Sequence, residues 1–524
     1  MKNIFLTLTT SLGILFSLSS CHNDLDQSPI DPDSFTEENV FANAEVAKGA
    51  LAKVYASLAL TGQTGPAGQP DLADIDEGFS QFSRMLFNLN ELTTDNAVVA
   101  WGDAGLQDLH GMYWGSSNDF SNAMYNRLAQ SVSFANSFIE NATSLGDPVV
   151  TQYIAEARFI RAYAYYNLID LYGSVPLVTK VETSLPLQSS REEVFNFIEA
   201  ELLEIQDQLA ASGANEYGRV DQVAAWALLS RLYLNAEVWT GTPRYNECVQ
   251  YSSNVMNSSY SLHTADLNAN GSAYDELFLA DNNSNGAQNE FIFALNFDGL
   301  YSQTYGGTTF LVHAAIGGSM DPAAFGVNGG WGGLRTTKAL VNKMTSGDTR
   351  AMFYTNGQTL EIADITKFKE GYAVTKFKNI TSTGVQGSDA SGNFVDTDLP
   401  LMRLPEFILN YAEATLRGGN GSISEAVTRI NQIRNRAFGN ASGDIGAGQL
   451  TLDFVLDERA RELYWEGLRR TDLVRYNYFT TNTYLWPFKG NDPLGTSVGN
   501  YRNLFPIPSN TLTVNSNLTQ NPGY

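Results

Sequence analysis

Apolar residues return at helical spacing in stretch after stretch of this chain, and that recurrence restricts the fold more than any other feature. The period runs over 42–60, 121–140, 150–171, 191–211, 221–238 and 245–257, then over 403–417, 422–436 and 451–475. Between these runs it lapses twice. Residues 61–118 carry Gly62, Gly65, Gly68, Gly102, Gly105 and Gly115 among aromatics such as Phe79, Phe82, Phe87, Trp101, Tyr113 and Trp114. So long an insert without periodicity is usually functional or disordered, and its aromatic content argues against disorder. Residues 260–400 are mixed and glycine-rich, with β-like runs such as 291–295, and the last 45 or so residues read as proline-marked loop. The fold expected is mainly α, with long irregular insertions and little β.

The helical runs come in pairs, which raises the question of a repeat. Trp226, Leu229, Ser230 and Tyr233 fit the W-x-x-L-small-x-x-Y spacing of a tetratricopeptide-type helix. Ala157, Phe159, Ala162 and Tyr166 keep a related rhythm, as do Tyr411 to Ala414 and Ala426 to Ile433. Small residues facing aromatic knobs allow close packing between paired helices, so a tetratricopeptide-like helical-repeat scaffold is expected. The bland alternative is a set of generic amphipathic helices.

Charge and the N-terminus narrow the partners. The formal charge is −24, from 32 Lys plus Arg against 56 Asp plus Glu. Such a chain repels phosphate backbones and anionic lipid surfaces, so no nucleic-acid partner is expected and a neutral ligand fits better. Residues 1–20 read as a signal peptide, with Lys2 followed by an apolar run too short for a comfortable membrane span. The run ends in Leu18-Ser19-Ser20-Cys21, similar to a bacterial lipobox, so Cys21 is the expected site of acylation and outer-membrane lipid anchoring. Residues 21–40, with Asp24, Asp26, Asp31 and Asp33 beside Pro29 and Pro32, then form an acidic tether. Cys248, the other cysteine, is expected to be buried. Its lack of a second mature cysteine and the scatter of four histidines leave no His/Cys zinc pattern.

Several segments together carry a specific signature. Glu156-Ala157-Arg158-Phe159-Ile160-Arg161-Ala162 leads to Asp170-Leu171-Tyr172-Gly173; later come Met402-Arg403-Leu404-Pro405-Glu406 and Asp457-Glu458-Arg459-Ala460-Arg461-Glu462-Leu463. Glu466-Gly467-Leu468-Arg469-Arg470-Thr471-Asp472 and the closing Asn521-Pro522-Gly523-Tyr524 complete it. The chain thereby resembles the SusD/RagB family from its lipobox to its last residue. The resemblance implies one compact unit, with an N-terminal region over 41–260 and a C-terminal region over 261–524. It implies a surface-exposed, lipid-anchored outer-membrane lipoprotein that captures oligosaccharide without catalysis. Such a protein acts as a lid on a TonB-dependent transporter of the SusC type. No cofactor is required.

The loops are most similar to those of the family's starch-binding founder, so starch or another α-glucan is the expected ligand. The stretch from Phe82 to Leu92 resembles the founder's arginine-bearing segment, Ala100-Trp101 its tryptophan loop, Tyr305 to Thr309 its tyrosine loop, and Asn328-Gly329-Gly330-Trp331 a fourth contact region. This sequence departs from the founder at Val99, where a second tryptophan would stand, and at Ala104, where a ligand-contacting asparagine would fall.

The chemistry of those residues fits a neutral sugar. Flat rings such as Trp101, Tyr305 and Trp331 cover the C–H face of a pyranose by dispersion and area burial, on the order of 1–2 kcal/mol each. Arg84, Asn88, Asn90 and Asn96 are the candidate partners for ring hydroxyls, the guanidinium being able to bridge two. An arc of rings favours curved α-1,4-glucan over a flat β-1,4 chain. Structural readings stand beside these: Trp226, Trp239 and Trp465 as core residues, Trp114 as a wedge, and Arg84 in an ion pair with Asp76, Glu77 or Glu91.

Asp281-Asn282-Asn283-Ser284-Asn285-Gly286 matches the first half of an EF-hand loop, but the twelfth position is Ile292 rather than a bidentate Glu. An asparagine-rich turn is the favoured reading, with a structural calcium at Asp281 as the alternative. Three rival functions remain open. The missing aromatic at Val99 admits β-1,3-glucan (laminarin); the RagB branch admits peptide uptake; and carboxylates at 74, 76, 77, 91, 95 and 103 admit a surface glycoside hydrolase.

Overall fold

The computed structural model describes residues 40–524; the expected signal peptide, Cys21 and nearly all of the expected acidic tether lie outside the described residues. The helical runs fold as helices, the last of them in two pieces. They are α1 (Ala44–Ala59), α2 (Phe82–Asn90), α3 (Asp119–Ala142), α4 (Pro148–Tyr172), α5 (Arg191–Ile205), α6 (Gln222–Leu234) and α7 (Tyr245–Met256). In the second half come α8 (Gly307–Ala314), α9 (Leu404–Leu416), α10 (Ile423–Phe438), α11 (Leu452–Leu463) and α12 (Arg469–Arg475). Side chains at the entry points satisfy the free N–H groups: Asn43 caps α1, Asp147 with Pro148 opens α4, and Ser190 and Glu193 close a capping box on α5.

Helices pack as tetratricopeptide-like pairs, α3 on α4, α6 on α7 and α7 on α9. The small-residue rhythm explains the closeness of α6 and α7: the Ser230 and Ser252 hydroxyls meet at 2.8 Å beside Cys248, and Tyr233 stacks on Tyr251 at 5.7 Å. Burial pushes the Cys248 thiol up to about 12, so it is inert packing. Trp239 and Trp465 are core residues as expected, while Trp226 is half-buried and donates to Gln206 at 3.1 Å. Among the described residues the named strands form two-stranded pairs only. The run read as β is strand Phe291–Leu295, paired with Leu399–Arg403 across an irregular register.

Two expectations need correction. The insert 61–118 is not loop throughout: Phe82, Met85, Leu86 and Leu89 recur at helical spacing and are buried along α2. The run 451–475 is broken at Tyr464–Leu468, where Trp465 (φ 65°) and Gly467 (φ 77°) turn left-handed. The break has a physical cause. The buried Glu91 carboxylate accepts the N–H groups of Gly467 (2.8 Å) and Leu468 (3.1 Å), which a continuous helix would have used internally.

The signature segments turn out to be an internal ionic cluster. Arg403 pairs with Glu290 (3.0 Å), Glu462 and Glu466 (2.7 Å). Arg350 reaches Asp348 (2.7 Å), Glu458 (2.8 Å) and Glu462 (3.0 Å), and Arg436 reaches Glu290 (2.7 Å) and Glu462. All of these side chains are essentially removed from water, which is tolerable only because each charge is met by several opposite ones. The cluster lashes α9, α10 and α11 to the loops before them.

Candidate ligand site

The site begins with a short long-range pairing. Val98–Val99 runs antiparallel to Leu334–Arg335, with Val99 opposite Leu334, and the ladder continues through Ala100 N–H to the Gly333 carbonyl at 2.9 Å. This brings the tryptophan loop against the glycine loop from more than 200 residues away. The Trp101 indole N–H donates to the Trp331 carbonyl at 3.0 Å, and the two rings lie 6.4 Å apart with planes tilted by 46°. Tyr305 follows on the other side of Trp331, again at 6.4 Å and tilted by 53°. The three rings therefore form a row, Trp101–Trp331–Tyr305, each half-exposed and none coplanar with its neighbour.

The row is held from beneath. His313 stacks on Trp331 at 5.0 Å and 17°, accepts the Trp331 N–H on its carbonyl at 2.7 Å, and bonds the Gly329 carbonyl through Nδ1 at 2.8 Å. Burial lowers the His313 ring below the usual imidazole range, so it is neutral at physiological pH. Phe394 supports Tyr305 at 5.4 Å and Phe310 supports Trp101 at 6.2 Å. Glycine is required where the backbone touches a ring: a Cβ on Gly333 would lie 2.3 Å from the Trp101 indole, and Gly332 has φ 59°. Gly333→Ala is thus expected to displace Trp101, changing the intrinsic fluorescence while the circular-dichroism spectrum stays helical.

Arg84 sits behind the row. Its Nη1 donates to the carbonyls of Gly78 (2.6 Å) and Tyr305 (3.2 Å), and its guanidinium lies over Phe310 at 4.5 Å and 5.9 Å from the Trp101 ring. Burial lowers its pKa to about 10, against the pull of Asp103 and Asp76, so it stays charged at neutral pH. It braces the loops of Gly78 and Tyr305 rather than forming the direct ion pair with Asp76, Glu77 or Glu91 that the sequence also allowed.

Asn88 and Asn96 are corrections. Both are buried, as is Asn90: Asn96 donates to Glu91 at 2.8 Å, and Asn90 donates to the Gly467 carbonyl at 3.0 Å. They belong to the anchor of α2, not to a surface that meets ligand. That anchor is ionic as well. Burial raises Glu91 to about 7 although its hydrogen bonds from Asn96, Leu468 and Gly467 oppose the rise. Burial also disfavours charge on Asp95, but the fork of Arg469 at 2.7 and 2.8 Å outweighs it and draws the carboxyl down to about 2. Two of the carboxylates a hydrolase would need are thereby committed to the core.

The remaining positions divide. Trp114 is a wedge: fully buried, stacked on Phe505 at 4.5 Å and bonded to the Tyr524 hydroxyl at 2.8 Å. Val99 is a buried strand residue, and Ala104 is exposed on the loop after Trp101. The Asp281 carboxylate accepts the Ser382 N–H (2.9 and 3.0 Å) and hydroxyl (2.6 Å), which makes it a loop clip; among the described residues no group of three or more His, Cys, Asp or Glu is placed to hold a metal. The row itself is a shelf of three half-exposed rings. A cavity of about 670 Å³ lies elsewhere, between Met256, Leu262, Leu404, Ile408 and Arg436. Sequence reading missed His313, Phe310 and Phe394, which carry no motif of their own and support the rings by packing.

Comparison with known proteins points one way. The profile described as the SusD family matches residues 349–524, and one described as starch-binding and associating with the outer membrane matches 73–234. The starch-binding protein SusD of Bacteroides thetaiotaomicron is 34% identical over 580 aligned positions, covering 100% of both chains. In structure, a SusD superfamily protein from Parabacteroides distasonis superposes with a TM-score of 0.70 at 22% identity, over 94% of this chain and 100% of that one. Surface glycan-binding protein A from Bacteroides fluxus gives 0.68 at 21% identity, over 92% and 100%. Fold, signature segments and full-length identity agree, and the chain belongs to the SusD family.

Proposed function

We propose that this protein is a surface glycan-binding lipoprotein that captures α-1,4-glucan on the Trp101–Trp331–Tyr305 shelf. It hands the chain to a TonB-dependent transporter of the SusC type while acylated Cys21 holds it to the outer membrane. The observation that supports the reading most is the row of three half-exposed rings at 6.4 Å steps. Monomeric apolar surface of this kind is costly unless something covers it. A pyranose offers a C–H face of matching size, and the tilts between rings suit a chain that curves. The starch-binding name of its full-length relative favours α-glucan over β-1,3-glucan. A few such contacts, less the cost of ordering the sugar, give an affinity of roughly micromolar to millimolar, suited to capture and release.

The reading is one of binding, not turnover. Affinity electrophoresis tests it: the protein is expected to be retarded in gels containing amylopectin and to release no reducing ends from maltooligosaccharides. Equal mobility with and without amylopectin would count against the α-glucan, and retardation in laminarin alone would shift the assignment to β-1,3-glucan.

A further inference from the structure

The shelf supplies stacking faces, but with Asn88 and Asn96 buried it lacks the polar partners that sugar hydroxyls need. A pair of exposed amides at its edge meets that need. Asn328 Nδ2 donates to Asn393 Oδ1 at 2.6 Å, and Asn393 Nδ2 donates to the Ser391 hydroxyl at 2.9 Å. Their backbones are tied together as well, Asn328 N–H to the Gly392 carbonyl at 3.1 Å. Both side chains are exposed.

The pair is bracketed by the shelf on two sides. Asn328 begins the turn whose Gly329 carbonyl bonds His313 and which ends at Trp331. Asn393 immediately precedes Phe394, the ring beneath Tyr305. The loop does not depend on the amides for its shape, because the Asp389 carboxylate accepts the N–H groups of Asn393 and Phe394 at 3.0 Å. Whichever way round the two amides sit, the pair presents both donors and acceptors to solvent.

We propose that Asn328 and Asn393 form a hydroxyl-recognition pair that reads a vicinal diol of the sugar stacked on Trp331 and Tyr305. This inference rests on the glycan-shelf reading and sharpens it. A hydroxyl both donates and accepts, so adjacent donor and acceptor atoms on two amides complement two neighbouring hydroxyls. Every internal residue of an α-1,4-glucan keeps its 2- and 3-hydroxyls free. In a β-1,3-glucan the 3-oxygen is consumed by the linkage, so the internal vicinal pair is missing. The amide pair therefore selects for glucans with a free 2,3-diol, because a sugar that covers the two amides without offering the diol leaves them unpaired.

Calorimetry with maltoheptaose and laminarihexaose on the full chain tests this. Wild type is expected to bind maltoheptaose more tightly. The double variant Asn328→Ala, Asn393→Ala is expected to lose about tenfold on maltoheptaose, the worth of one or two hydrogen bonds, with no loss on laminarihexaose. Asn393→Asp, which keeps the shape but removes the amide donor, is expected to lose about threefold or more on maltoheptaose. Unchanged maltoheptaose affinity in the double variant, or equal losses for both sugars, overturns the diol pair while leaving the shelf in place. Wild type that binds neither sugar overturns the shelf reading itself.

Discussion

Trp101→Ala is expected to weaken α-glucan binding by about tenfold or more, with a melting shift of only a few degrees. Three losses act together on binding. One stacking face disappears; the indole no longer donates to the Trp331 carbonyl, so the neighbouring ring is less fixed; and the Arg84 guanidinium loses one of the two rings beside it. Stability changes little because Trp101 is half-exposed, so its removal leaves a surface recess rather than a sealed cavity. Trp114 provides the contrast. It is fully buried between Phe505, Tyr524 and Arg502, so Trp114→Ala costs stability and leaves the affinity of the folded fraction alone. Calorimetry on both variants checks the pair, and an unchanged affinity for Trp101→Ala removes that residue from the site.

Glu462→Ala is expected to be the most destabilising of these changes, by about 3–5 kcal/mol, because it strands buried positive charge. Glu462 accepts from Arg350, Arg403 and Arg436 and is fully buried. A loss of that size is a large share of the stability of a typical domain. The same physics sets the acid limit of the fold. Burial alone would raise Glu458 and Glu413, but Arg350 and its neighbours hold the first at about 2 and Arg475 holds the second at about 2. A carboxyl depressed below its unfolded value stabilises fully above that value, near pH 4.5, and its contribution is lost as pH falls towards 2. Melting temperature is therefore expected to drop steeply below about pH 4. Denaturant unfolding at pH 7 measures the Glu462→Ala loss, and a midpoint equal to wild type contradicts the account.

Much of the scaffold is legible in the sequence because periodicity reports a face that must be buried. The runs at 150–171 and 245–257 fall within two residues of α4 and α7. α2 is hidden for another reason: its apolar spacing at Phe82, Met85, Leu86 and Leu89 lasts only nine residues inside a stretch otherwise without helical period. The segment from Asp457 to Asp472 carries charges at a density that is rarely interior. It is interior because Arg350, Arg403 and Arg436 arrive from elsewhere in the chain to meet Glu458, Glu462 and Glu466, while Asp95 and Asp170 meet Arg469 and Arg470. At the site, Trp101, Tyr305 and Trp331 are legible as rings in a glycine setting. Asn88 and Asn96 are not legible, because an asparagine in an aromatic-rich stretch looks the same whether it faces sugar or is buried, as Asn96 is against Glu91. The pairing of Val98–Val99 with Leu334–Arg335, which creates the shelf, has no local signal at all.

The most direct measurement of the central claim is a crystal structure of the protein with maltoheptaose. The expected result is glucose rings lying face-on over Trp101, Trp331 and Tyr305, with hydroxyls directed to the polar edge of the shelf. Ordered sugar in the 670 Å³ cavity between Met256, Leu404 and Arg436, with the three rings bare, would contradict it.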